Sequence, residues 1–167
     1  MDITIRDEET KDIAQVREIV RAAFPSEAES NLADSLRANG KAIISLVAVN
    51  GDEVLGHVLF SAVSTTPPID AEGIGLAPLA VRPDAQSQAI GSRLIRQGLC
   101  LCKELEFDYC VVLGSPDYYQ RFGFEWASPF GIRNEYGVDR EFMVIRFSQR
   151  GVSGLVQYES EFSMFSV

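Results

Sequence analysis

Leu79-Ala80-Val81-Arg82-Pro83-Asp84-Ala85-Gln86-Ser87-Gln88-Ala89-Ile90-Gly91-Ser92 reads as an apolar strand, a break at Arg82-Pro83, a polar turn and the first residues of a helix. A strand that turns directly into a helix leaves backbone N–H groups without partners at the helix start. Those groups, with the helix dipole, form an anion site suited to a pyrophosphate. One strand and one turn further on comes Tyr118-Tyr119-Gln120-Arg121-Phe122-Gly123-Phe124, which brings phenols, and so proton donors, toward the far end of a nucleotide-linked ligand. The helix between them, from about Ala89 to Glu106, is expected to carry Ile90, Leu94, Gly98, Leu101 and Leu105 on one face, with Arg93 and Arg96 elsewhere. A short β-rich run, Tyr109 to Leu113, follows it. Ser115-Pro116-Asp117 then has the order of an N-cap, a first-position proline and a first-turn acid.

Outward from this stretch, helices and strands alternate. Ile3 and Ile5 alternate as a short strand, Asp7 to Thr10 offer caps, and Ile13, Val16, Val20 and Ala23 keep helical spacing up to Pro25. A second helix is expected over Glu29 to Ala38, with Leu32 and Leu36 inward and Asn39-Gly40 as its stop. Ala42 to Val49 and Val54 to Ser64 read as a hairpin around Asn50-Gly51, a pair suited to a type I′ turn. Thr65-Thr66-Pro67-Pro68 reads as a loop, Gly75 to Val81 as the next strand, and Phe142 to Phe147 and Leu155 to Tyr158 as closing strands. No repeat, low-complexity segment or linker interrupts the chain, so residues 1–167 read as one α/β domain. Early hairpin strands followed by a strand-helix-strand crossover imply a mixed sheet.

Composition bounds the function. The 167 residues, 46% of them apolar, suffice for one well-buried domain. A net charge of −9 argues against nucleic acid or an anionic membrane as the main partner; it suits a cationic substrate, and it suits plain solubility as well. Cys100, Cys102 and Cys110 are odd in number and lie in apolar segments without C-x-x-C spacing, so they read as buried, reduced thiols of a cytoplasmic protein. No window reaches the length of a membrane span, and the start, Met1-Asp2-Ile3-Thr4-Ile5-Arg6, lacks the features of a signal peptide. His57 is the sole histidine, too few for a triad or a metal site, and reads as structural. Gly73-Ile74-Gly75 precedes a strand and has Pro78 at the third glycine position, which excludes a dinucleotide-binding turn.

Taken together, the stretch from Leu76 to Phe124 resembles the GNAT-type N-acetyltransferases. Its Ala-Pro-Leu-Ala-Val strand and Tyr-Tyr-x-Arg-Phe-Gly-Phe segment are most similar to those of small bacterial members, as are Phe130-Gly131-Ile132-Arg133 and Gly151-Val152-Ser153-Gly154. The resemblance implies the GNAT fold: a mixed central sheet flanked by helices, with two parallel strands splayed apart at the CoA site. It implies acetyl-CoA as cosubstrate and an amine, small-molecule or peptide, as acceptor, which attacks the thioester directly within a ternary complex. Free backbone groups of Leu79, Ala80 and Val81 would then hold the pantetheine arm and thioester, and an N–H near Leu79 would stabilise the oxyanion. Residues Gln86, Ser87, Gln88, Ala89, Ile90, Gly91 and Ser92 would bind the pyrophosphate, with Arg82, Arg93 and Arg96 flanking it. The family pattern Gln/Arg-x-x-Gly-x-Gly/Ala appears as Gln86-x-x-Ala89-x-Gly91, so alanine replaces the first glycine. If that position needs positive φ, alanine costs about 1–2 kcal/mol there and weakens the site.

Aligned on Gly123-Phe124, Tyr119 matches the family's acid for the departing thiolate, with Tyr118 as its neighbouring rival. Either Glu29 or water would deprotonate the acceptor. A homodimer through the C-terminal strand stays open. So does a CoA-binding or sensory module that keeps the fold without transfer, a reading sustained by Ala89. The Tyr119 segment argues against a third reading, an interaction protein that binds no CoA. The loops Thr65 to Glu72 and Ser128 to Asp139 carry no code for the acceptor.

Overall fold

In the computed structural model, which describes residues 2–164, the chain opens with strand β1 (Thr4–Asp7), helices α1 (Ile13–Ala23) and α2 (Ala28–Ala38), and strand β2 (Ile44–Asn50). Strands β3 (Glu53–Thr66) and β4 (Gly73–Val81) and helix α3 (Ile90–Glu104) follow. The rest is β5 (Tyr109–Leu113), the single turn α4 (Pro116–Tyr119), β6 (Glu125–Trp126), β7 (Ile132–Asn134), β8 (Phe142–Arg146) and β9 (Gly154–Tyr158). Nine strands form a mixed, mostly antiparallel sheet. The residues group into two compact units, Met1–Phe60 with Ala77–Cys100 and Ser61–Leu76 with Leu101–Val167.

In the first unit β1, β2 and the first part of β3 are antiparallel neighbours. Val16, Ile19 and Val20, spaced three and four apart, give α1 an apolar stripe that packs on Val47, Val49, Val54 and Ala80, with Phe24 against the same cluster. Pro25 follows and the helix stops. Helix α3 comes close to β3 at two glycines. A Cβ on Gly98 would overlap the Phe60 ring, and one on Gly56 would lie 3.0 Å from Ile90 and 3.1 Å from Leu94. The buried line of α3 runs through Ile90, Leu94, Ile95, Leu99 and Cys102. The expected continuation to Leu105 fails: the helix closes at Glu104, Glu106 turns at φ 65°, and Leu105 is 53% exposed.

The β2–β3 turn also sits one residue later than Asn50-Gly51 suggests. Asn50 pairs with Glu53, so Gly51 and Asp52 form the loop, and of the two only Gly51 has positive φ. The turn is therefore not type I′, which needs positive φ at both central residues.

A buried ionic cluster around Glu8 lies in this unit. Arg37 donates to both carboxylate oxygens of Glu8, at 2.6 and 2.8 Å, and to Asp34 at 3.0 Å. His57 is fully buried beside it; its Nδ1 is 3.1 Å from the Leu46 carbonyl, which requires that nitrogen to carry the proton. Burial, with Arg37 adding to it, pushes the His57 pKa down to about 4, against the pull of Glu8 and of the Leu46 bond.

The folded state therefore binds fewer protons at His57 than the unfolded chain between pH 6.5 and 4. Its contribution is intact above pH 6.5 and is lost progressively as pH falls to about 4, by about 3 kcal/mol in all. Urea titrations across this window should show that decline in the native protein and a flatter profile in His57→Leu. An unchanged slope would contradict the assignment.

In the second unit β4 and β5 run parallel for three residue pairs, Gly73↔Tyr109, Ile74↔Cys110 and Gly75↔Val111. Asp108 secures the start of this ladder: its Oδ2 accepts the Glu72 N–H at 2.7 Å, its Oδ1 accepts the Ser148 hydroxyl at 2.7 Å, and its own N–H donates to Glu72 O at 2.8 Å. The bonds from Glu72 and Ser148 hold its carboxyl below the usual range. Strand β8 pairs with β5 and β6, β9 with β7, and Val63–Thr66 of β3 with Leu155–Tyr158. That last pairing draws Thr65 and Thr66, expected in a loop, into a strand. Cys102 and Cys110 are buried free thiols, whereas Cys100, expected to be buried, is exposed. No described helix is long and apolar enough to cross a membrane.

Candidate active site

The first unit holds the strand end and turn together. Ala80 is buried against α1, while Leu79 and Val81 are half-buried. The Arg82 N–H donates to Leu55 O at 2.8 Å, which ties the strand end to β3. From there Pro83–Gln88 coils as a 3-10 turn, with the methyl of Ala85 buried beneath it. Gln86 is exposed, and its side-chain amide donates to Val81 O at 3.3 Å, a bond back to the strand end that braces the turn. Only the backbone of Ser87 is described.

Ala89 then takes the left-handed conformation, φ 58° and ψ 24°, and Ile90 is fully buried as α3 begins. The Arg93 N–H donates to Ala89 O at 3.1 Å, so the amides of Ile90 and Gly91 come before the first helical bond. Amides in that position, backed by the dipole of a fifteen-residue helix, favour an anion.

Arg82 and Arg93, which flank the turn, serve other partners. Arg82 donates to Asp84 at 2.6 and 3.0 Å and lies 3.8 Å from Glu53. Arg93 donates to Ile3 O at 3.0 Å. Attraction for an anion at this turn therefore rests mainly on backbone amides.

The second unit holds the tyrosines. Ser115 precedes α4, but its side chain makes no capping bond; Pro116 at the first helical position sets the turn instead. Tyr119 is 8% exposed. Its ring lies edge-on to Phe124 at 5.6 Å and to Tyr118 at 5.1 Å, and a Cβ at residue 114 would overlap it. Burial, then Tyr118 and Cys110, raise the Tyr119 pKa above the ordinary phenol value. Tyr119 is thus a neutral donor at any physiological pH. Tyr118 is half-buried, packs edge-on to Phe122 at 5.3 Å and carries Arg121 over its ring at 4.9 Å.

Residues 13–124 match the sequence model of the acetyltransferase (GNAT) family. The uncharacterised N-acetyltransferase YhbS of Escherichia coli K12 is 35% identical over 171 aligned residues, covering 96% of this chain and 99% of that protein. The chain belongs to the GNAT acetyltransferase family. The crystal structure of E. coli YhbS with CoA superposes with a TM-score of 0.92 at 34% identity, covering 99% of this chain and 94% of that one. A GNAT acetyltransferase of Brucella melitensis in complex with acetyl-CoA gives 0.82 at 32% identity, covering 96% and 98%.

Within the GNAT fold, the substitution at residue 89 has a specific consequence. Ala89 already adopts the left-handed conformation a glycine would take, so the turn is formed, and the cost falls on folding. Ala89→Gly should stabilise the protein by about 1 kcal/mol while changing acetyl-CoA affinity less than threefold. Paired urea melts and calorimetric titrations check this; a large gain in affinity would show that alanine distorts the turn. The bond from the Gln86 amide to Val81 O escaped the sequence reading, since a glutamine in a polar turn gives no sign of which way its amide points.

Proposed function

We propose that this N-acetyltransferase transfers the acetyl group of acetyl-CoA to an amine by direct attack, with Tyr119 protonating the departing thiolate. The observation that carries the reading is the preformed turn, with Ala89 left-handed and the Ile90 and Gly91 amides ahead of the first helical bond. Acetyl-CoA supplies an activated acyl thioester and, in its pyrophosphate, the anion this turn suits. Residues Gln86 to Ser92 bind that pyrophosphate through their backbone.

Leu79, Ala80 and Val81 hold the pantetheine arm. The parallel ladder between β4 and β5 ends at Gly75↔Val111, six residues before β4 ends at Val81, which supports backbone groups there serving a ligand. One such N–H, near Leu79, steadies the oxygen of the thioester carbonyl as the amine attacks. Tyr119, neutral because its pKa is raised, donates its phenolic proton to the thiolate. The chain works as one catalytic domain in the cytoplasm, a reading supported by its three free cysteines. The formed turn at Ala89 serves transfer and binding alike; the buried, neutral phenol of Tyr119 is what favours transfer over a binding-only module.

Thiol release from acetyl-CoA, followed across a panel of primary amines, tests the reading. Amine-dependent release is expected. Tight acetyl-CoA binding with release at background for every amine would favour the binding module.

A further inference from the structure

Strand β5 is held unequally by its two neighbours. It pairs with β8 along its whole length, from Tyr109↔Arg146 to Leu113↔Phe142, but with β4 at only three positions, Gly73↔Tyr109, Ile74↔Cys110 and Gly75↔Val111. Parallel pairs are also slightly weaker than antiparallel ones. Strands β5 and β8 thus form one ribbon, and its register along β4 rests on a short ladder.

Asp108 stands where that ribbon meets β4. Toward β4, its Oδ2 accepts the Glu72 N–H at 2.7 Å and its own N–H donates to Glu72 O at 2.8 Å. Toward β8, its Oδ1 accepts the Ser148 hydroxyl at 2.7 Å and its backbone O accepts the Phe147 N–H at 2.7 Å. The Arg150 Nε lies 4.0 Å from Oδ1, and the Asp108 side chain is 11% exposed. A turn aspartate ordinarily bonds backbone a residue or two away. Asp108 instead turns its two oxygens to residues 36 and 40 positions distant, through bonds that its charge strengthens.

The other end of β5 leads to the phenol. The Gly114 N–H donates to Glu141 O at 2.9 Å, the Tyr119 N–H donates to Ser115 O at 3.0 Å, and a Cβ at residue 114 would overlap the Tyr119 ring. Tyr119 is therefore fastened to the end of β5, and the register of β5 along β4 decides where its hydroxyl stands.

Resting on the transferase reading, in which β4 holds the thioester and Tyr119 the proton, we propose that Asp108 is a positioning residue. It locks β5 in register against β4 and so keeps the Tyr119 hydroxyl within reach of the departing sulfur. A displacement of about 1 Å costs up to about a hundredfold in rate.

A double-variant cycle tests this role. Asp108→Ala should lower kcat about thirtyfold and leave acetyl-CoA affinity within about threefold, since the pyrophosphate turn takes no bond from Asp108. In the Tyr119→Phe background no phenolic proton remains to misplace, so the same change should cost less than about threefold. Partial unfolding would lower both backgrounds alike, which separates it from misplacement. Asp108→Asn can still accept from Glu72 through Oδ1 and donate to Ser148 through Nδ2, and should keep about half of native kcat. If Asp108→Ala does not fold, Ser148→Ala runs the same cycle, with about a threefold loss expected in the native background and none in Tyr119→Phe. Equal losses in the two backgrounds, or native kcat in Asp108→Ala, overturn the proposal. A native protein that releases no thiol with any amine sinks the transferase reading, and this role with it.

Discussion

Tyr119→Phe is expected to lower turnover between a hundred- and ten-thousand-fold, about 3–5 kcal/mol of barrier, while acetyl-CoA affinity stays within threefold. The size follows from what the hydroxyl is asked to do. A thiolate leaving into a partly buried site without a proton is a poor leaving group, and Tyr119 is a phenol that burial keeps protonated. The substitution removes only an oxygen. The ring contacts to Tyr118 and Phe124 and the close fit over Gly114 remain, so the fold should be preserved. Tyr118→Phe is the control, since its ring packs under Arg121 and its loss of a hydroxyl should change turnover only a few-fold. Steady-state kinetics of the two variants decide the matter. Native turnover by Tyr119→Phe would hand the proton to water.

Arg37→Met should destabilise the protein by about 3–5 kcal/mol, the cost of leaving a buried carboxylate without its partner. The Glu8 side chain is 6% exposed and that of Arg37 is 13%, so neither charge can turn to water without opening the structure. Both Glu8 oxygens take their hydrogen bonds from Arg37. The neighbouring His57, held neutral, cannot replace the lost charge. Removing both ends should cost much less than removing one, and Glu8→Gln with Arg37→Met should recover a large part of the loss. Urea unfolding of the singles and the double measures this. A single-variant loss below about 1 kcal/mol would mean that water reaches the cluster.

Much of this architecture is legible along the chain because its signals are local. Val16 and Val20 of the α1 stripe, the break at Arg82-Pro83, the turn from Gln86 to Gly91 and the Tyr119 segment each declare themselves within a few residues, although Ala23, expected on that stripe, is exposed and Ile19 takes its place in the core. What escaped depends on partners far away in sequence. Thr65 and Thr66 look like loop until Leu155 and Val156 pair with them. The two-residue β6 is held by Val144 and Met143 on β8 and has no pattern of its own. Leu105 continues the helical spacing of α3, but a left-handed residue at Glu106 ends the turn, and no glycine marks it.

The same division holds at the site. The strand end, the turn and the start of α3 follow the motif, since their conformation is set locally. The arginines do not: Arg82 and Arg93 look free in sequence, yet their guanidinium groups bond to Asp84 and to Ile3 O. The burial of Oε1 on Glu29, the candidate base, leaves no mark in the sequence at all, because burial of one atom is a property of the packed structure.

The central claim joins the turn at residues 86–92 and Tyr119 in one reaction, and a crystal structure of this protein with CoA tests it most directly. The expected result places pyrophosphate oxygens about 3 Å from backbone amides between Gln86 and Ser92, and the sulfur within hydrogen-bonding reach of the Tyr119 hydroxyl. A pyrophosphate bound elsewhere, or a sulfur facing a different donor, would contradict it.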